Sequence, residues 1–173
     1  MTRAADPNNP EWYTPHEYLK KVYLTLGKVT LDPCCNLHGA PNVVADKYYR
    51  FPVDGLLEPW GSGYGLIFMN PPYGRVISKW TKKLLYEYQI GNINSAIALI
   101  PVKTETQWWD DLMASAVCWC AVKGRIRFKN PWGENNNFGT FASALVLLSN
   151  DLDIIKRFKD QFSNIGTIWT AIK

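Results

Sequence analysis

The chain has 173 residues, of which 47% are hydrophobic and 20% are charged. This length and apolar fraction suit one folded domain, and they exclude two full domains or a largely disordered chain. No apolar run approaches the about 18 residues that a membrane span needs, and the net charge of +4 is compatible with a polyanionic partner without requiring one. We therefore expect a cytoplasmic protein with no membrane partner, in which a flexible segment over residues 1–10 precedes a single domain over residues 11–173. The sequence does not indicate an oligomeric state.

Predicted helices and strands alternate along the chain. The first helix runs from Trp12 to Gly27, with Thr14 as its cap and Glu17 completing a capping box, and a second capping box at Thr104 and Gln107 opens the third helix. The pattern predicts helices over residues 12–27, 76–89, 104–113 and 152–162, and strands over residues 29–31, 43–44, 66–69, 96–100, 117–122, 144–148 and 165–172.

The strand at residues 66–69 is a continuous apolar run, which is typical of a strand buried on both faces. We expect it to be a central, parallel strand. The regular alternation of strands and helices indicates an α/β fold with a parallel or mostly parallel sheet and helices on both faces.

The four cysteines do not have the spacing of a zinc site. Cys34 and Cys35 are adjacent, and Cys118 and Cys120 are one residue apart, whereas zinc knuckles place two to four residues between their ligands. We expect free thiols in a reducing compartment and no bound metal.

Polar residues follow two of the predicted strands at the points where ligands bind in sheets of this class. These residues are Asp32-Pro33-Cys34-Cys35-Asn36 and Asn70-Pro71-Pro72-Tyr73. The carbonyl oxygens of Asn70 and Pro71 can accept the two N–H bonds of a planar amine, which favours a pyramidal nitrogen with a free lone pair. Two successive prolines preorganise these acceptors, and Tyr73 can stack on a planar substrate. The motif is therefore suited to methyl transfer onto such an amine.

Basic residues alternate along the stretch Lys123, Arg125, Arg127 and Lys129. On a strand all four would share one face, with Ile126 and Phe128 pointing inward. The next residues, 130–138, contain amides and aromatics of the types that contact bases, including Trp132, Asn135 and Asn136. With Arg75, these residues are our candidates for nucleic-acid binding. The alternative is a solvated face followed by an inert surface loop.

Several motifs in this order resemble one known family over most of the chain. They are Trp12-x-Thr14-Pro15, Leu31-Asp32-Pro33-Cys34, Asp54-Gly55-Leu56 before Trp60, Asn70-Pro71-Pro72-Tyr73, and Gly124-Arg125-x-Arg127-Phe128. Together they resemble the phage-encoded DNA adenine-N6 methyltransferases of the Dam type. The resemblance implies a Rossmann-like methyltransferase domain with no separate target-recognition domain, located in the host cytoplasm. It also implies S-adenosylmethionine as cofactor and methyl transfer to N6 of a flipped-out adenine in DNA.

The resemblance further implies roles for individual residues. Catalysis would rest on Asn70, Pro71, Pro72 and Tyr73, and the cofactor would be contacted by Trp12, Thr14, Pro15, Asp32, Pro33, Cys34 and Asn70, with Asp46 or Asp54 at its ribose or adenine. No Gly-x-Gly turn follows the first strand, and Asp46 comes only about 14 residues after Asp32, against about 20 in a full βαβ unit. The helix between the first two strands should therefore be short or missing.

Two other functions remain compatible with the residues alone. The motif Asn70-Pro71-Pro72-Tyr73 also suits enzymes that methylate another nitrogen, such as cytosine N4, an RNA base or a protein glutamine. A nucleic-acid-binding module without catalysis could use the basic stretch, but it would not need this motif at a strand end.

Overall fold

The computed structural model describes residues 12–129 and 141–171. The segment 1–10, expected to be flexible, lies outside these residues. The helices in the described part are α1 (His16–Leu26), α2 (Ile77–Gln89), α3 (Gln107–Ser115) and α4 (Leu152–Phe162). The strands are β1 (Leu31–Asp32), β2 (Lys47–Tyr48), β3 (Gly65–Met69), β4 (Ile93–Pro101), β5 (Cys118–Val122), β6 (Ser143–Ser149) and β7 (Gly166–Thr170).

The strands form one mixed sheet in the order β2-β1-β3-β4-β6-β5-β7. Strands β2, β1, β3 and β4 are parallel neighbours, whereas β6 is antiparallel to β4 and β5, and β7 is antiparallel to β5. The prediction of a mostly parallel sheet is therefore wrong for one half of the sheet. The apolar run of β6 is buried along its whole length. Such a run is equally stable in either direction, so its composition does not reveal that β6 is reversed.

Strands β3 and β4 separate two hydrophobic layers, as their continuous apolar runs predict. On β3, Ile67 and Met69 pack in the layer that contains α2 and α3, and Phe68 packs in the layer that contains α1 and α4. Helices therefore cover both faces, and β3 is parallel to both of its neighbours, so both predictions are confirmed. None of the described helices is long and apolar enough to cross a membrane.

Both predicted capping boxes are wrong. Helix α1 has Pro15 at its N-cap position, which offers no side-chain cap, and the Thr14 hydroxyl accepts from Asn70 instead. Helix α3 begins after Thr106, and the side chain of Gln107 donates to Asp111 one turn later. A local capping pattern does not show whether another part of the chain competes for the same hydroxyl.

The connection between β1 and β2 contains no helix in residues 33–46, all of which are described. This confirms the expectation drawn from its short length. The second strand itself lies at residues 47–48 and not at 43–44, because Val43 is buried in the helix-covered layer beside α1 instead of pairing with β1.

Candidate active site

The order of the strands reverses between β1 and β3. The chain passes from β1 to β2 on one side and then returns to β3 on the other side, and Leu31 of β1 is in register with Ile67 of β3. In α/β sheets, ligands bind at the carboxyl ends of the strands where such a reversal occurs. The residues that follow these two strands are Pro33 and Asn70, so the structure brings the two motifs together at this edge.

Hydrogen bonds fix the orientation of the Asn70 carboxamide. Its Nδ2 donates to the carbonyl oxygen of Trp12 at 3.0 Å and to Oγ1 of Thr14 at 3.2 Å. Its Oδ1 accepts from the Tyr73 hydroxyl at 3.0 Å. A carbonyl oxygen has two lone pairs, so Oδ1 can accept one further N–H bond.

The Tyr73 side chain is half-buried, and its ring contacts two phenylalanines. Its ring meets Phe141 and Phe128 edge to face, with centroid distances of 5.1 Å and 6.3 Å. Burial raises the pKa of Tyr73 far above its ordinary value, and the nearby Cys34 adds to this effect. The hydroxyl therefore stays protonated and acts as the donor to Asn70. Pro71, which follows Asn70 in the motif, is buried.

Asp32 is a buried carboxyl group at the end of β1. It is 4% exposed, and its Oδ1 accepts from the backbone N–H of Cys34 at 3.1 Å. Burial raises the pKa of Asp32 to about 7. In residues 12–129 and 141–171, no lysine, arginine or histidine forms an ion pair with it. Because a buried carboxylate is costly without a positive partner, this position suits a cationic ligand.

The Cys34 thiol links the ends of the two strands. Its sulfur faces the Asp32 carboxyl group and the backbone amide of Asn70. Burial, followed by the proximity of Asp32, raises the pKa of the Cys34 thiol well above its ordinary value. The thiol is therefore neutral and serves as packing between the two motifs. All four cysteines are free, and no cluster of three metal-ligating side chains occurs in the described part of the chain.

Asp54 lies near this edge, whereas Asp46 does not. The turn after Asp54 is closed by a bond from the Leu56 N–H to Asp54 Oδ1 at 3.0 Å. The next residue, Gly55, packs on the Pro33 carbonyl so closely that an added Cβ would lie 2.0 Å from the oxygen. Asp46 precedes β2 at the opposite edge of the sheet, where it forms an exposed ion pair with Lys28 at 3.2 Å.

The basic stretch does not form the expected strand. Strand β5 ends at Val122, and Gly124 turns the chain with a φ of 80°, a conformation that side chains other than glycine rarely adopt. The expected alternation of exposure is nevertheless confirmed, because Ile126 and Phe128 are buried while the basic residues are exposed. These exposed residues are Lys123, Arg125, Arg127 and Lys129.

The end of this basic stretch lies beside Asn70. Tyr13 and Lys129 form an antiparallel bridge, with N–H to O distances of 2.9 Å and 3.1 Å. The Trp12 ring also contacts Phe128 edge to face at 6.1 Å. The segment 12–14 thus contacts Asn70 and the basic stretch together. Arg75 is exposed just after the Asn70-Pro71-Pro72-Tyr73 motif. Trp132, Asn135 and Asn136 lie outside the described residues.

Sequence reasoning assigned no role to two asparagines that support the site. Asn42 bonds both peptide groups of Thr14, and Asn36 bonds the backbone of Asn42 and the Tyr13 hydroxyl. Two asparagines in a loop predict a turn, but nothing in the sequence shows that one of them contacts a residue 28 positions away.

Two comparisons with known proteins complement this geometry. The model of the family described as DNA N-6-adenine-methyltransferase (Dam) matches residues 2–167. A search of curated protein sequences found no match.

Proposed function

The chain belongs to the DNA N-6-adenine-methyltransferase (Dam) family, and on this premise we propose that methyl transfer takes place at the Asn70-Pro71-Pro72-Tyr73 motif. Membership identifies the protein as an adenine-specific DNA methyltransferase, and the family implies S-adenosylmethionine as the methyl donor. It thereby favours adenine over the other nitrogen substrates and over a binding module without catalysis.

One observation supports a catalytic role for Asn70. Both donors of its Nδ2 face fixed acceptors, so its oxygen is held as the group that can accept from a substrate amine. In our proposal Asn70 Oδ1 and the Pro71 carbonyl oxygen each accept one N–H of the adenine amine. This draws the nitrogen toward a pyramidal shape and directs its lone pair at the methyl group. The positive charge that develops on the nitrogen strengthens both bonds, and the surplus proton then passes to water.

The adenine has to leave the DNA helix to reach Asn70. In duplex DNA its amine is paired and cannot approach a methyl donor in line, so the base must rotate out of the stack at a cost of a few kcal/mol. We propose that the Tyr73 ring stacks on the flipped base, which offsets part of this cost.

Asp32 is the principal candidate for binding the cofactor. When bound, S-adenosylmethionine supplies an electrophilic methyl group, and its sulfonium and ammonium groups are both cationic. A buried carboxyl group with no positive partner in the described residues fits such a ligand. The parallel half of the sheet, β2-β1-β3-β4, supports a Rossmann-like site at its reversal point.

Further cofactor contacts are proposed for the residues around Asp32. Pro33 and Cys34 follow Asp32 directly. Trp12 and Thr14 reach the same edge through Asn70, and Pro15 follows Thr14 in the chain. We propose Asp54 and not Asp46 as the acid near the ribose or adenine, because Gly55 packs on Pro33 whereas Asp46 lies at the opposite edge.

DNA is proposed to contact the basic stretch. Arg125, Arg127 and Lys129 are exposed, and the bridge from Lys129 to Tyr13 connects them to the segment that holds Asn70. Lys123 and Arg75 extend this positive surface. Phosphates along the DNA would then bind close to the position of the flipped base.

Labelling of DNA tests the proposed function directly. The protein is incubated with DNA and S-adenosylmethionine that carries a tritiated methyl group, and the DNA is digested to nucleosides. With wild type we expect the label in N6-methyldeoxyadenosine. With Asn70→Ala we expect this label to be lost. Label in methylated cytosine, or equal labelling by the Asn70→Ala variant, would contradict the assignment.

A further inference from the structure

The loop after β1 holds Thr14 by an unusual two-point contact. Asn42 Oδ1 accepts from the Thr14 N–H at 2.9 Å, and Asn42 Nδ2 donates to the Thr14 carbonyl oxygen at 3.3 Å. Asn42 thus satisfies both peptide groups of one residue, as a neighbouring strand would. Of the common side chains, only a primary amide of this length offers a donor and an acceptor side by side.

A second asparagine fixes the position of the first. Asn36 Oδ1 accepts from the Asn42 backbone N–H at 2.8 Å, and Asn36 Nδ2 donates to the carbonyl oxygen of Ala40 at 3.0 Å. The same Nδ2 lies 2.9 Å from the Tyr13 hydroxyl oxygen. Residues 36–42 are therefore a closed loop whose internal bonds present the Asn42 side chain to Thr14.

Thr14 passes this constraint to the catalytic motif. It is only 2% exposed, and its Oγ1 is one of the two acceptors that orient Asn70 Nδ2. A carboxamide that loses an acceptor on its nitrogen side can rotate by about 180°, which exchanges its oxygen and nitrogen. Asn70 would then present N–H donors to an adenine amine that also needs an acceptor, and the two groups would repel.

We propose that Asn42 is a positioning residue for methyl transfer. Acting through Thr14, it holds the Asn70 carboxamide in the orientation that presents Oδ1 to the substrate amine. This inference rests on the proposed role of Asn70. Asn42 is remote from the motif in sequence, and in this proposal it controls the rotation of the Asn70 carboxamide.

A double-mutant cycle tests the coupling between Asn42 and Thr14. The variants are Asn42→Ala, Thr14→Val and their combination, and kcat and KM for DNA are measured at saturating S-adenosylmethionine. We expect Asn42→Ala to lower kcat by about 10- to 100-fold with KM for DNA changed less than threefold, since misorientation of a reacting group costs turnover. In the Thr14→Val background, the same substitution should lower kcat less than threefold, because the hydroxyl through which Asn42 acts is absent.

Asn92→Ala is the matched control. Asn92 also donates a side-chain hydrogen bond, to Glu87 at 2.7 Å, but it lies at the other end of the sheet, where α2 connects to β4. It should leave kcat unchanged. Independent, multiplicative effects of Asn42→Ala and Thr14→Val, or an equal loss of kcat in Asn92→Ala, would overturn the proposal. If circular dichroism shows that Asn42→Ala is unfolded, the cycle is run with Asn42→Asp, which keeps the acceptor for the Thr14 N–H.

A measurement without turnover separates this inference from the proposed function. NMR of protein labelled with ¹⁵N-asparagine detects the side-chain amide protons of Asn70, and their loss in Asn70→Asp assigns them. These protons should exchange slowly with solvent in wild type and in Asn92→Ala. They should exchange at least tenfold faster in Asn42→Ala. Unchanged exchange overturns the positioning role even if the enzyme methylates adenine. Inactive wild-type protein with the expected exchange pattern refutes the proposed function alone.

Discussion

The substitution Asp32→Asn tests whether the buried carboxyl group binds the cationic cofactor. Asparagine has nearly the same shape and keeps an acceptor for the Cys34 N–H, so the main change is the loss of a titratable charge. With a pKa of about 7 in place of the ordinary 3.8, Asp32 in the ligand-free protein is about 10% ionised at pH 6 and about 75% ionised at pH 7.5. A cation binds the ionised form, so the affinity of wild type should rise about eightfold over this range.

The same pKa predicts how stability depends on pH. Because the folded-state value is raised, the folded protein holds a proton that the unfolded chain releases above pH 4. The contribution of Asp32 to the free energy of unfolding is therefore complete below about pH 4 and is lost as the pH rises to about 7. The slope is about 1.4 kcal/mol per pH unit, and the whole loss is about 4 kcal/mol. Asp32→Asn should show no such loss.

Calorimetric titration of S-adenosylmethionine at pH 6 and pH 7.5 measures the binding effect, and urea denaturation at several pH values measures the stability effect. The cofactor has an amine that titrates too, but it contributes equally to both proteins. The ratio of the two dissociation constants, Asp32→Asn over wild type, should therefore increase about eightfold from pH 6 to pH 7.5. A ratio that is the same at both pH values would refute the reasoning, because it would mean that Asp32 does not change its charge at the cofactor.

Three further predictions concern the catalytic motif and the DNA-binding surface. Asn70→Ala should reduce methylation at least 100-fold while the calorimetric affinity for S-adenosylmethionine stays within a few-fold, since the lost acceptor acts on the adenine amine. A comparable loss of cofactor affinity would contradict this role. Tyr73→Phe should retain activity within about tenfold of wild type, whereas Tyr73→Ala should lose more than 100-fold in single-turnover assays, because the ring stacks and the hydroxyl only orients Asn70. Equal losses would assign the chemistry to the hydroxyl. Replacing Arg125 and Arg127 by Gln should flatten the dependence of log affinity on log salt by about one to two units, on preferred and scrambled duplexes alike. Fluorescence anisotropy measures this slope, and an unchanged slope in a variant of unchanged melting temperature would identify a solvated face.

The parts of this fold that could be predicted from the sequence are those set by neighbouring residues. The apolar run that became β3 is buried on both faces whatever lies beside it, so both the strand and its central place followed from composition. Helix α4 is also local in origin. Asp151 caps it by accepting from the N–H groups of Asp153 and Ile154, and its bounds match the predicted ones.

The errors arose where distant residues compete for the same group. Thr14 has a sequence typical of a helix cap, yet its hydroxyl accepts from Asn70, which is 56 positions away. The basic stretch after β5 alternates as a strand would. The Lys123 N–H still donates to the carbonyl oxygen of Ile165, but Gly124 then turns the chain, and Lys129 forms a bridge with Tyr13. The residues of β6 are buried along its whole length, so their pattern does not indicate the direction of the strand.

The same distinction applies to the site. Asp32 and Asn70 could be singled out because each follows a strand predicted from the sequence, and the sheet brings the ends of these strands together. The hydrogen bonds of Asn36 and Asn42 could not be predicted, because they depend on how a loop without regular structure closes against the segment before α1.

On the proposed site assignments, the bridge between Tyr13 and Lys129 would couple the binding of the cofactor to the binding of DNA. Its two hydrogen bonds join the segment proposed to contact the cofactor to the segment proposed to contact phosphates. If DNA holds Lys129 in place, the entropy of ordering Trp12 to Thr14 is lost before the cofactor arrives, and the cofactor then binds more tightly. Thermodynamic reciprocity requires that the cofactor increase the affinity for DNA by the same factor. The order in which the two ligands bind would then alter the rate of assembly of the complex and leave its final stability unchanged.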